Sequence, residues 1–436
     1  MKASTPPDSR GKAGRDMPPL RRVLMIAYHF PPLAGSSGIQ RTLRFVQHLP
    51  AQGWQPLVLT TRAEAYERVS NDLLADVPPG TVVSRAMAWD TARHLSIKGR
   101  YIAAMARPDR WMTWRFDGVR RGMQLIRQYK PEAIWSTYPI ATAHLIGAEL
   151  ARRSGLPWIA DFRDPMAQAG YPTDPVTWAQ YRDIESHALA TAALSTFTTP
   201  SATAEYRQRY PASAQRVELL ENGYDEETFA NADGAREARP LNPGATTLLH
   251  SGVVYPSERD PTQLMAALKL LHEAGATSPA RLRVRFRAPV AEALLLDLAR
   301  QAGVEAYIEI LPAAPYREAL AEMLNADGLL LLQASNCNAQ IPAKLYEYLR
   351  AGRPIVCLSD PAGDTATTVR NAGIDAIAPL DDAAAIAQLL TRFLAPGRPG
   401  LQLMPEPGFV AAASRRGRTQ ALAAMLDSVT AASRRG

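Results

Sequence analysis

The stretch RRVLMIAYHFPPLAGSSGIQRTLRFVQHLPAQGWQPLVLTT, residues 21–61, decides the fold. Residues 21–30 are a short apolar run, the pattern of a strand buried on both faces. Pro31 and Pro32 stop it, because proline offers no backbone donor to a ladder. Gly35, Ser36, Ser37 and Gly38 form a loop, after which Ile39, Leu43, Phe45, Val46 and Leu49 recur at roughly helical spacing. Gly53 ends that helix, and residues 56–61 are a second apolar run. Strand, loop, helix and strand in this order open a parallel sheet.

Working outward, the same alternation predicts strands over residues 133–137, 157–162 and 196–199, with helices over 141–154 and 177–194. Composition then shifts: residues 230–246 carry Gly, Pro, Asn and charge with few large apolar side chains, as a linker does. A second series follows, with strands over 247–251, 282–286, 307–311, 328–333 and 355–358. Its helices are expected over 262–274, 290–302, 316–325 and 342–351, and a last helix over 409–429. The expectation is α/β: two doubly wound sheets facing a central cleft. The division is a disordered tail (1–20), a first domain (21–230), a linker (231–246), a second domain (247–405) and a terminal segment (406–436).

Composition narrows the classes further. With 47% hydrophobic and 21% charged residues, the chain is ordinary for a globular protein. Two cysteines, Cys337 and Cys357, cannot make a disulfide framework and point to a reducing, cytoplasmic setting. No apolar run reaches the ~18 residues of a membrane span. The basic residues of the first twenty have no apolar segment behind them, which argues against a signal peptide. A secreted mini-protein, a channel and a coiled coil are thereby excluded.

The net charge of +7 is unevenly spread, with eleven basic and three acidic residues over 85–130. Between Arg100 and Lys130, Tyr101, Trp111, Trp114 and Phe116 interleave with Arg107, Arg110, Arg115, Arg120, Arg121 and Arg127. A helix there either rests on an anionic membrane surface or is a solvated basic helix whose aromatics belong to the core. Nucleic acid is not an expected partner, since the charge is local and no nucleic-acid motif accompanies it.

Ligands of open parallel sheets bind beyond the carboxyl ends of the strands, so the loops after strands carry the candidates. Gly35 to Gly38 precede a helix start, where successive amides and the helix dipole attract an anion or merely cap the helix. Lys344 and Glu347, three apart in IPAKLYEYLRAGRP (341–354), share a helix face. Lys344 suits a phosphate and Glu347 a ribose diol, although an exposed ion pair explains the same spacing. Asp161, Arg163 and Asp164 follow a strand and either form an ion-pair cluster or position a polar substrate. Asn222 and Gly223 read as a turn. Arg259, in GVVYPSERDP (252–261), is a phosphate partner or a solvated loop residue. The seven histidines form no His-x-x-x-His pair, and there is no Cys-x-x-Cys or Gly-x-Ser-x-Gly, so no metal site is expected.

Six segments taken together resemble the retaining, GT-B-fold glycosyltransferases of family 4, used in polysaccharide and lipopolysaccharide assembly. They are YHFPPLAGSSGIQR (28–41), WSTYPIATAHLIG (135–147), IADFRDP (159–165), ENGYDEETF (221–229), IPAKLYEYLRAGRPIV (341–356) and SRRGRTQALAAML (414–426). The resemblance implies two Rossmann-like domains, with the terminal helix crossing back to the first. It implies a nucleoside-diphosphate sugar as donor substrate, no cofactor, and a lipid-linked or oligosaccharide acceptor. It names Arg259, Lys344, Asp161 and Arg163 as catalytic candidates. Gly35, Ser36, Ser37, Gly38, Asn222, Tyr316, Asn338, Gln340, Ile341 and Glu347 are its donor-binding candidates. Location would be cytoplasmic, peripheral on the inner face of the membrane. The family often carries a second Glu eight residues before the ribose-binding one; here that position is Ala339. A nucleotide-sugar epimerase of the same fold and an inactive pseudo-glycosyltransferase acting as a binding partner remain the alternatives.

Overall fold

The structure, a computed structural model, describes residues 20–435 apart from Ser37, Ile97, Gly99, 234–239 and Pro399. Most of the expected tail and the middle of the expected linker therefore lie outside the described residues. The first half builds one seven-stranded sheet in the order β3-β2-β1-β4-β5-β6-β7. Its strands are β1 (Arg21–Ile26), β2 (Trp54–Thr61), β3 (Val82–Ala86), β4 (Ala133–Thr137), β5 (Trp158–Arg163), β6 (Leu194–Phe197) and β7 (Val217–Leu219). The second half builds a six-stranded sheet from β8 (Thr246–Ser251), β9 (Leu282–Arg287), β10 (Ile308–Leu311), β11 (Gly328–Gln333), β12 (Ile355–Ser359) and β13 (Ile377–Ala378). Its order is β10-β9-β8-β11-β12-β13. Neighbouring strands run parallel in both sheets.

The strands that read as unbroken apolar runs are the central ones. Val23 to Ile26 and Leu329 to Leu332 are fully buried, covered by helices on both faces. Each sheet changes direction once, between β1 and β4 and between β8 and β11. The loops after those four strands carry most of the candidate residues, as the switch-point rule requires.

Three expectations need correction. The helix predicted over 177–194 is Pro175–Thr191, started by the Asp174 carboxylate accepting from Thr177 N–H, and Leu194 already belongs to β6. The basic stretch 100–130 is not one helix. Pro108 interrupts it, and the helix runs only over Trp114–Tyr129, after a short turn at Ala103–Ala106. The terminal helix over 409–429 is two, Pro407–Ala412 and Arg415–Ser433, because the Ser414 hydroxyl accepts from Gly417 N–H and starts the second.

That second helix packs on the first half. Leu422, Ala423, Leu426 and Val429 share a core with Phe45, Val46, Trp54 and Trp135. Asp427 Oδ1 takes Trp54 Nε1–H at 3.1 Å and pairs with Arg21 at 2.6 Å.

Candidate functional site

On the second-half wall, the helix Lys344–Ala351 begins just beyond the carboxyl end of β11. Leu345 and Leu349 are buried against the sheet, which turns Lys344 and Glu347 toward the cleft. They do not pair with each other. Lys344 Nζ lies 2.9 Å from His250 Nε2, at the end of β8. His250 Nδ1 is 3.0 Å from the Leu330 carbonyl, which only accepts, so Nδ1 carries the proton and Nε2 receives Lys344. Burial, then Arg259, lowers the Lys344 ammonium to about 7, with Glu347 opposing. Gly252, at φ +106°, keeps the approach open: a Cβ there would sit 3.3 Å from Lys344 Nζ.

Glu347 Oε1 accepts from the Tyr316 hydroxyl at 2.6 Å. Burial raises its carboxyl above the ordinary range, and the Tyr316 hydrogen bond and Lys344 offset this only in part. Arg259 donates to the Val253 carbonyl at 2.7 Å and lies over the Tyr255 ring at 4.9 Å, while its buried Nε has no partner. This wall therefore holds two cations and a carboxylate with spare hydrogen-bonding capacity. Asn338, by contrast, spends its amide on Asp360 at 2.6 Å. Gln340 and Ala339 are exposed and Ile341 is half-buried at the cleft.

On the first-half wall the outcome differs. Asp161 is fully buried, and its oxygens accept Arg41 Nε (2.9 Å), Arg41 Nη2 (2.8 Å), Thr137 Oγ1 (2.8 Å) and Thr196 Oγ1 (2.8 Å). It is the counter-ion of Arg41, not of its sequence neighbour Arg163, and it presents nothing to a substrate. Asn222 also serves the framework. Its Oδ1 faces Arg41 Nη1 at 3.4 Å and its carbonyl accepts Arg418 Nε at 3.1 Å. Gly223 is required where the terminal segment docks, since a Cβ would sit 2.5 Å from the Ala413 carbonyl oxygen.

Arg163 lies instead near the start of the helix Gly38–His48. A Cβ on Gly38 would lie 3.0 Å from Arg163 Nη1 and would overlap His29 Nδ1. Ser36 Oγ lies 3.2 Å from His29 Nδ1 and accepts Gly38 N–H at 3.3 Å. Gly35, at φ +78°, is exposed in the same loop, and Ser37 lies outside the described residues.

A cavity of about 460 Å³ separates the walls, lined by Asp164, Thr198 and Asn222 on one side and Ala339, Gln340 and Ile341 on the other. The walls touch at one rim, where Asp364 Oδ1 accepts Ser201 Oγ–H at 2.8 Å and Oδ2 accepts Ser201 N–H at 3.0 Å. A larger cavity of about 720 Å³ lies beyond the β8 and β11 loops, but Asp260, Asp360 and Asp381 line it, which suits no diphosphate. Among the described residues no group of three or more His, Cys, Asp or Glu side chains is arranged to hold a metal ion.

One residue of this site escaped the sequence reading. Arg415, the first residue of the last helix, lies close enough to Glu347 to favour its charged form. Ser414 followed by a helical run is an N-cap signal that would have located the helix start.

Residues 37–223 match the model of the glycosyl transferase 4-like domain. No curated protein matches the chain in sequence. Solved structures match it over nearly its whole length. Anabaena HepE in complex with UDP is 12% identical over 95% of this chain and 98% of that one, with a TM-score of 0.58. A glycosyltransferase from Rickettsia africae is 9% identical over 94% and 98%, with a TM-score of 0.60. The lipopolysaccharide outer core galactosyltransferase WaaB is 11% identical over 93% and 99%, with a TM-score of 0.57. The chain thus has the GT-B fold of these glycosyltransferases, and its residues 37–223 match the glycosyl transferase 4-like domain.

Proposed function

We propose that the chain is a retaining glycosyltransferase that moves a hexose-type sugar from a nucleoside-diphosphate sugar to a lipid-linked or oligosaccharide acceptor in cell-surface polysaccharide synthesis. One observation carries this reading. Lys344 and Glu347 face the cleft from one helix turn, each held by a different neighbour, His250 and Tyr316, and neither neutralised by the other. A diphosphate supplies the negative charge that Lys344 and Arg259 lack, and a ribose diol supplies donors to Glu347. HepE, of the same fold, is solved with UDP and with UDP-glucose.

In this reading the donor is a substrate and no resident cofactor takes part. The bond between the sugar's anomeric carbon and the diphosphate breaks, and the acceptor oxygen joins that carbon on the same face. The acceptor proton passes to the departing diphosphate, whose charge Lys344 and Arg259 stabilise. No protein nucleophile or metal is called on. With Ala339 in the cleft and Asn338 tied to Asp360, sugar contacts fall to Gln340 and the backbone near Ile341.

The test is a thermal-shift screen of nucleoside diphosphates, since a ligand of the folded state raises the melting temperature. Glu347→Ala should weaken the best ligand by about 1.5–3 kcal/mol, the worth of hydrogen bonds to a charged group. Equal affinity in the variant would place the ribose elsewhere.

The acceptor side belongs at the cytoplasmic face of an anionic membrane. Phe116 is 73% exposed and Ile102 69%; Tyr101, Met105, Arg127 and Arg120, which pairs with Asp117, are exposed as well. Trp114 is instead core, and Arg110 is spent on Asp90 at 2.7 Å. Among the described residues no helix is long and apolar enough to cross a membrane. Anionic vesicles at low salt should retain the protein. Retention undiminished in a Phe116→Ser, Arg120→Ser, Arg127→Ser variant would remove this surface from the proposal.

A further inference from the structure

At the rim where the walls touch, two helices meet start to start. Pro200–Arg209 follows β6, and Asp364–Asn371 follows β12. The first of them does not satisfy its own opening amides. Pro200 has no N–H, and the Thr199 hydroxyl accepts from Ala202 N–H. The amide between them, Ser201 N–H, goes to Asp364 of the other half, 3.0 Å from Oδ2, and the Ser201 hydroxyl donates to Oδ1 at 2.8 Å. Asp364 thus caps a helix 163 positions away in sequence while opening its own. Helix starts carry partial positive charge, so the two would repel without a carboxylate between them.

The same turn holds the cleft segment of the second half. Asp364 N–H donates to the Asn338 carbonyl at 2.8 Å, and Thr365 Oγ1–H donates to the Gln340 carbonyl at 3.0 Å. The packing is close: a Cβ on Gly363 would sit 2.7 Å from Asn338 Oδ1. Residues 339–341 line the 460 Å³ cavity from one side. Thr198 and Thr199, just before Ser201 in the chain, line it from the other. One buried residue therefore grips both linings, the first through its carboxylate and the second through its amide. Lys344 and Glu347 are held by His250 and Tyr316 instead.

We propose that Asp364 is a positioning residue for sugar transfer: it sets segment 338–341 against the first half, so that Gln340 and the neighbouring backbone meet the donor sugar only with the walls together. The hold on both linings stands on geometry. That the segment meets a sugar rests on the glycosyltransferase reading.

The experiment reads hydrogen exchange of segment 338–341 by mass spectrometry in the ligand-free full chain. Asp364→Ala should speed it about tenfold or more, since hydrogen bonds to a charged group are lost. The deciding variant lies on the other wall. In Ser201→Asp the new carboxylate favours its own helix start but opposes Asp364, so exchange in 338–341 should rise although nothing in the second half has changed. Adding Asp364→Asn, whose amide donates to that carboxylate, should restore most of the protection. Ser201→Ala should give a smaller rise of the same sign, and decides the matter where Ser201→Asp fails to fold. Exchange unchanged by the Ser201 variants overturns the coupling, because a purely local role for Asp364 would not respond to them. Calorimetry with UDP, GDP and ADP and with their glucose esters separates this inference from the donor site. Asp364→Ala should leave the free diphosphates unchanged and weaken the ester of the base that binds by about tenfold. An unaffected ester, or a loss shared equally by ester and diphosphate, overturns the sugar role. A wild-type chain that binds none of these ligands sinks the donor reading and the sugar role together, while exchange still decides the hold on both linings.

Discussion

The two walls of the cleft handle charge in opposite ways. On the first, burial pushes Asp161 up, but Arg41 and the Thr137 and Thr196 hydroxyls outweigh it and hold the carboxyl below its usual range. On the second, burial wins: Glu347 is raised, and Lys344 is brought down to about 7. Both walls set ionisable groups at strand ends or helix starts, and both look similar in sequence. A buried charge satisfied by its own wall is framework. One left short of partners is capacity for a ligand.

That contrast can be broken most forcefully at Asp161. Asp161→Ala strands Arg41 in the core and should cost about 3–5 kcal/mol in urea denaturation. A loss under 1 kcal/mol would show that the pair is not holding the wall together. Next in size, Lys344→Ala should slow sugar transfer by about 10²–10³-fold, the usual toll of removing one preorganised charge partner. Its melting temperature should not fall, since a desolvated ammonium has been removed; a drop of several degrees would make Lys344 framework as well.

The smallest effect is a pH dependence. An anionic ligand favours charged Lys344, so above pH 7 binding must first restore its proton. Affinity for a nucleoside diphosphate should then fall by up to about tenfold per pH unit. Calorimetry in buffers of different ionisation enthalpy should show proton uptake near pH 8, and no uptake would mean that Lys344 does not face the phosphate. In the ligand-free protein the sign is reversed. The unfolded chain keeps the Lys344 proton up to 10.5 and the folded one only to about 7, so this residue makes stability rise with pH across that window.

The central strands and the helices between them could be read from the chain because their signal is local: an apolar run, a Gly or Pro stop, a 3.6-residue recurrence. The three missed strands have little of it. β3 is a half-buried edge, β7 has three residues and β13 two. The candidate residues were found by type, but partnership is a tertiary property. Asp161 sits two positions from Arg163 in sequence, yet its partner Arg41 is 120 positions away. Lys344 and Glu347 have the spacing of a solvated pair, and only the packing of Leu345 and Leu349 turns them inward. Arg415 stands in SRRGR, part of a segment quoted for its family resemblance, and only the Ser414 cap makes it the first residue of a helix.

The terminal helix also sets an order of assembly. Leu422 and Leu426 complete the hydrophobic layer around Val46 and Trp54, whose codons are read almost four hundred residues earlier. During synthesis that layer stays open until Leu422 and Leu426 have emerged, since both lie far downstream of the residues they cover. The first half therefore completes its core only once residues 415–433 are made, and a chain cut before Arg415 would carry its flaw at Val46 and Trp54, far from the cut.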